Sequence, residues 1–327
     1  KPLVVYIHWE ESALEVEREV LKDVDCEIVA AAVHTDEEII EAIKDADVIL
    51  NNYSVMPRAM FKQLNRCRLV VRYGHGYDRV DLKAATDHGV MIANMEGVSN
   101  EEVSNHVLML LLACARDLKR LNRALCEGRW DEVYSRAVGR RIWGDTVGIV
   151  GLGNIGRAVA RKCRALGMEI LASDPYVGDW VALEYNARLV SMDELLDRSD
   201  YVTLHCPLSE ATHHLISTEA LHRMKPSAFL INTSRGPVVD EQALIAALQN
   251  GEIAGAGIDV FESEPTDPDN PLLRMDNVML TPHVAGSSQP AWDAIRRRAG
   301  EEAARVLRGG RPEALVNPEV LGRIGLD

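Results

Sequence analysis

The run Gly151-Leu-Gly-Asn-Ile-Gly156 has the residue types and spacing to hold a phosphate. An apolar, β-branched stretch, Thr146 to Val150, leads into it, a helical pattern leaves it, and the carboxylate Asp174 closes the next apolar run. Gly151 permits a sharp exit from a strand, Gly153 lets backbone approach a pyrophosphate, and Gly156 lets a helix lie close to a sheet. The backbone N–H groups of Asn154 and Ile155 then face an anion at the positive end of the helix dipole. Asp174 is placed to accept from ribose hydroxyls and to repel a ribose 2′-phosphate, which favours NAD over NADP. Each part of a dinucleotide site is present, in the order such a site requires.

The rest of the chain must position that turn. Its 327 residues suffice for about two domains of ordinary size. With 47% hydrophobic and 26% charged residues it is typical globular material, and no stretch has the length of a membrane span. A net charge of -14 with no basic stripe argues against nucleic acid and anionic lipid as direct partners. Arg140-Arg141 and Arg296-Arg297-Arg298 read as solvated faces. Six scattered cysteines without a C-x-x-C pair fit free thiols in a reducing compartment and offer no metal site. The first residues run directly into a strand-like segment without the pattern of a signal peptide, so a cytoplasmic location is the expectation.

Short apolar runs at Leu3 to Ile7, Ile28 to Val33, Val48 to Asn51 and Leu69 to Val71 alternate with charged helical stretches. One long helix is expected from Val103 to Leu125, crossing between domains, with Ser99 or Asn100 as its cap. Further strands are expected at 146–150, 169–173, 188–190, 201–204, 228–232 and 254–258. Near-continuous apolar strands separated by helices predict an α/β fold of parallel sheets, Rossmann-like or flavodoxin-like, with ligands at the carboxyl ends of the strands. Those ends are His205-Cys206-Pro207, Thr233-Ser234-Arg235-Gly236 and Asp259-Val260-Phe261. A last helical pattern, Pro290 to Leu307, carries the chain back to its first part. The expected domains are a discontinuous substrate domain, 1–99 with 288–327, and a nucleotide domain, 100–287, with a cleft between them.

Together with the glycine turn, Asn232-Thr-Ser-Arg-Gly-Pro-Val-Val-Asp240, Gly257-Ile-Asp-Val-Phe-Glu-Ser-Glu-Pro265 and Thr281-Pro-His-Val-Ala-Gly286 resemble the D-isomer-specific 2-hydroxyacid dehydrogenases over essentially the whole chain. Val70-Val-Arg-Tyr-Gly-His-Gly-Tyr-Asp78 and Glu101-Glu-Val-Ser-Asn-His106 resemble most the branch of the C-terminal-binding proteins, with the phosphoglycerate dehydrogenases near it.

The resemblance implies hydride transfer between NAD and a small 2-hydroxy or 2-oxo acid. Arg235 would anchor the substrate carboxylate through its planar fork, His283 would exchange the proton, and Glu264 would orient the imidazole from its other nitrogen. His205, Cys206, Pro207, Thr233, Ser234, Asp259 and Ala285 would line the cofactor beside Arg235 and His283. Gly74-His75-Gly76 matches the loop whose amides hold the substrate carboxylate. Its middle position is usually small, and His75 either narrows the pocket, meets a charged distal group or turns away. Arg72 matches a carboxylate-contacting arginine of the C-terminal-binding branch, and also fits an interdomain salt bridge. The resemblance further implies a homodimer through the nucleotide domain, and it leaves open an NAD-sensing module that recruits partners.

Overall fold

The computed structural model describes residues 1–7, 14–134 and 139–326, and the chain divides into two compact units, Lys1–Ser99 with Ser288–Asp327, and Asn100–Ser287. In the first unit five strands, β1 (Leu3–Ile7), β2 (Glu27–Ala31), β3 (Val48–Asn51), β4 (Leu69–Arg72) and β5 (Met91–Ala93), pair in parallel in the order β2-β1-β3-β4-β5. Their alternation sorts the core into two layers. Val4, Tyr6, Val48, Leu50, Leu69 and Val71 face one side, where Ile295, Ala299 and Ala303 of the Gln289–Leu307 helix cover them; Val5, Ile7, Ile49 and Val70 face the other.

The end of the chain completes this sheet. Val316 N donates to Ile92 O at 2.8 Å, while the buried Asn317 accepts from Ile92 N at 2.8 Å and donates to Val90 O at 3.0 Å. Arg296 departs from the solvated face expected of it. Its guanidinium grips the fully buried Glu17 (Nη2 to Oε2 2.6 Å), which also accepts from Tyr73 Oη at 3.0 Å. A buried carboxylate is tolerable only when charge partners or hydrogen-bond donors such as these satisfy it.

In the second unit β6 (Thr146–Val150), β7 (Glu169–Ser173), β8 (Ala187–Leu189), β9 (Tyr201–Leu204), β10 (Phe229–Asn232), β11 (Gly255–Ile258) and β12 (Val278–Leu280) form one parallel sheet in the order β12-β11-β10-β9-β6-β7-β8. This is the doubly wound arrangement, and strand order reverses between β6 and β9, where such sheets open a crevice for ligands. The glycine turn leaves β6 there.

The long helix differs from its expectation. It runs from Asn100 to Ala115 and stops, and a separate helix occupies Leu118–Cys126. Between them Asp117 takes φ 54°, a left-handed conformation that ends a helix, and apolar periodicity continuing through Leu118, Leu121 and Leu125 hides that break. Both helices belong to the second unit, so neither crosses between the two. Arg140, also expected on a solvated face, lies 5.8 and 5.7 Å from the Tyr201 and Phe229 ring centres and donates to Ser227 O. No helix among the described residues is long and apolar enough to cross a membrane.

Candidate active site

The glycine turn has the geometry its residues dictate. Gly151 sits at φ +91°, where a side chain is strained, and a Cβ on Gly156 would lie 2.2 Å from Gly151 O. The Asn154–Ala165 helix can therefore start directly against the strand end. Its N-cap is Gly153, which supplies no capping side chain, and a Cβ there would meet nothing within 4 Å. Asp174 closes the turn from the end of β7, its two oxygens accepting from Leu152 N at 2.7 Å and Tyr176 N at 2.8 Å. A carboxylate held by two backbone amides keeps further lone pairs for a hydroxyl.

The other proposed cofactor residues follow the carboxyl ends of the same sheet. His205, Cys206 and Pro207 follow β9, with His205 N bonded to Val150 O at 2.8 Å. Burial holds the His205 imidazole down at about 3, so it is neutral at working pH, and its Nε2 meets Thr203 Oγ1 at 3.0 Å. Thr233, Ser234 and Arg235 follow β10. Asn232, 1% exposed, shapes their turn: its amide donates to Arg235 O at 2.9 Å and its oxygen accepts from Ser234 N at 3.0 Å. Arg235 itself is extended, φ −142°, with Nη1 donating to Ser234 O at 2.8 Å. Gly236 is fixed by proximity, since a Cβ would fall 1.9 Å from Phe261 C.

That contact brings the loop after β11 beside the Arg235 turn. Glu264 folds back within this loop, accepting from Phe261 N at 3.1 Å through Oε1, and its Oε2 meets His283 Nδ1 at 2.8 Å. His283, with its side chain 46% exposed, follows β12 at φ 54°. Its own N–H donates to Asp259 O at 2.7 Å, and the fully buried Asp259 carboxylate accepts from Val284 N and Ala285 N, both at 3.0 Å. The left-handed turn is thus built around one aspartate. With Nδ1 directed at Glu264, the imidazole keeps Nε2 for a proton exchanged with a ligand.

In the first unit Arg72, Gly74, His75 and Gly76 lie after or at the end of β4. Arg72 is 7% exposed and donates to Asn51 O, Asn52 O and Gly76 O, so its guanidinium knits the loop together. Asn94 donates to His75 O at 2.7 Å and Met95 N to Gly74 O at 3.0 Å. His75 is exposed.

A dinucleotide is consistent with this edge of the seven-stranded sheet. Thr233 Oγ1 is shielded from solvent and has no hydrogen-bond partner, a hydroxyl that a bound polar group would satisfy. Among the described residues no group of three or more His, Cys, Asp or Glu is arranged to hold a metal ion. A glycine turn at the switch point, with an imidazole–carboxylate pair and an arginine on neighbouring strand ends, defines a nucleotide-dependent oxidoreductase by its parts.

Comparison with known proteins gives the family. Residues 108–285 match the D-isomer specific 2-hydroxyacid dehydrogenase, NAD binding domain. The chain is 41% identical over 286 residues to a glyoxylate reductase of Korarchaeum cryptofilum, covering 86% of each. It is 38% identical over 293 residues to a D-3-phosphoglycerate dehydrogenase of Methanocaldococcus jannaschii, covering 89% of this chain and 55% of that longer protein. A D-lactate dehydrogenase of Aquifex aeolicus, solved with NAD and lactic acid, superposes with TM-score 0.83 at 27% identity, covering 98% of both. The chain belongs to the D-isomer-specific 2-hydroxyacid dehydrogenases, and it is an NAD-dependent oxidoreductase of CH–OH groups.

Sequence reasoning placed Asn232, His106 and Thr281 within the runs that carry the family resemblance but gave none of them a part in the site. An asparagine before Thr-Ser at a strand end is a turn-forming signal that could have revealed Asn232. His106 lies far from Thr281 in sequence and carries no comparable local signal.

Proposed function

We propose that the protein reduces a small 2-oxo acid to its D-2-hydroxy acid with NADH, and oxidises the hydroxy acid in reverse, with Arg235, Glu264 and His283 as the acting side chains. The 2.8 Å contact of His283 Nδ1 with Glu264 carries the reading, because it orients a titratable ring whose second nitrogen is left for a substrate oxygen. Bound NADH supplies the hydride. Arg235 pairs with the substrate carboxylate and its charge opposes the negative charge growing on the carbonyl oxygen. His283 gives its Nε2 proton to that oxygen in reduction and takes it back in oxidation, so the ring alternates between imidazolium and imidazole. Glu264 holds the ring through both states.

The Gly74-His75-Gly76 loop of the first unit is assigned to the substrate carboxylate, with Arg72 fixing its shape. Relatives named as glyoxylate reductases make glyoxylate the first substrate to try, and Asp174 supports NAD over NADP. A cytoplasmic homodimer is part of the same reading. Turnover of glyoxylate, hydroxypyruvate and pyruvate with NADH tests the substrate class. His283→Ala is expected to lower kcat about a hundredfold or more while NADH affinity changes little. Retention of kcat within about threefold would remove His283 as the acid.

A further inference from the structure

We propose that His106, on the Asn100–Ala115 helix, is a positioning residue for His283, acting through Thr281 and Asp259; this rests on the reading of His283 as the proton donor. His106 Nε2 lies 2.8 Å from Thr281 Oγ1, and Thr281 Oγ1 donates to Asp259 Oδ1 at 2.5 Å. A hydroxyl has one proton. Because Thr281 gives it to the carboxylate, its oxygen accepts from the ring, so His106 carries its hydrogen on Nε2.

The Asp259 carboxylate at the end of this relay accepts from Val284 N and Ala285 N, and its backbone oxygen accepts from His283 N. These bonds hold His283 at φ 54°, a conformation uncommon outside glycine that persists only where surroundings over-determine it. His106 Nε2 is also 3.6 Å from Asp259 Oδ1, and His106 and Asp259 side chains are 14% and 0% exposed. The ring therefore fixes the hydroxyl's direction from the helix side, and the hydroxyl fixes one oxygen of the carboxylate. A direct role at the reacting atoms is not part of the proposal; what His106 contributes is the aim of another ring.

The test compares His106→Phe, which keeps a ring without a donor, with His106→Gln, which keeps an N–H, alongside Thr281→Val and Thr281→Ser. The readouts are kcat with the best 2-oxo acid of the screen, NADH Kd and thermal midpoint. His106→Phe and Thr281→Val are expected to lower kcat about 10- to 100-fold with NADH Kd nearly unchanged, as about an ångström of misalignment does, and His106→Phe to leave the midpoint nearly unchanged. His106→Gln and Thr281→Ser should recover most of the loss. In the Thr281→Val background, His106→Phe should add nothing, since both act through one hydroxyl.

Additive losses, a His106→Gln no better than His106→Phe, or a kcat deficit that tracks lost NADH binding or lost stability would overturn the relay. So would normal kcat in His106→Phe. If His283→Ala is inactive while His106→Phe is normal, only this proposal fails. If His283→Ala keeps its turnover, the reading beneath it fails.

Discussion

In the proposed reading, Asp174 serves both architecture and choice of cofactor. Its carboxylate already accepts from Leu152 N and Tyr176 N, so it sets the shape of the glycine turn before any nucleotide arrives. A 2′-phosphate brought near it meets like charge as well as a crowded acceptor. Asp174→Ala should therefore weaken NADH binding and move the ratio of kcat/KM for NADH over NADPH toward one, by about tenfold or more. Steady-state kinetics with both cofactors measures this; an unchanged ratio sinks the argument for NAD preference. The motif residues of this turn were legible because each glycine and acid has a local reason. Arg72 was less so: the sequence shows a cation near a loop, but only the fold shows it donating to three carbonyls of its own neighbourhood.

Elements succeed or fail by how closely they approach. The Arg235 turn and the loop carrying Glu264 touch backbone to backbone at Gly236, where any Cβ would fall inside van der Waals contact. Gly236→Ala must push these loops apart, and the expected outcome is a loss of about 1–3 kcal/mol of stability in urea titration together with a sharp fall in kcat. A variant as stable and active as the parent would show that the contact relaxes freely. Strand positions were readable from apolar runs, since a buried parallel strand needs little else. The break at Asp117 was not, because apolar spacing of three and four continues on both sides while the backbone turns left-handed at a single residue. β5 was missed for its brevity, three residues seated between β4 and the returning chain end.

At the scale of the whole molecule, the second unit exposes several large apolar side chains. Met109, Leu118, Leu125, Trp130 and Trp143 are each 45–73% exposed, and Leu118 and Leu125 stand two turns apart on one helix. In the homodimer proposed above, these are the side chains that a second copy is expected to cover. Leu118→Glu with Leu125→Glu should then shift sedimentation from twice the 36.2 kDa chain mass toward that mass. Dimers that persist unchanged would place the contact elsewhere. Family and fold could be read from the motifs and their order, whereas Arg296 could not: a run of three arginines gives no sign that the first pairs with the buried Glu17, on the far side of the sequence.

That pairing, with the Asn317 bonds to β5, means the first unit is sewn together by residues 225 to 279 positions apart. On a ribosome the opening strands emerge long before the partners that finish their core, while residues 100–287 complete a continuous unit in the meantime. The entropy of closing so long a loop grows only slowly with its length, about 0.6 kcal/mol per doubling, so the arrangement costs little at equilibrium. Its cost falls in time: the unfinished first sheet must wait, with its β5 edge open, until residues 288–317 have been made.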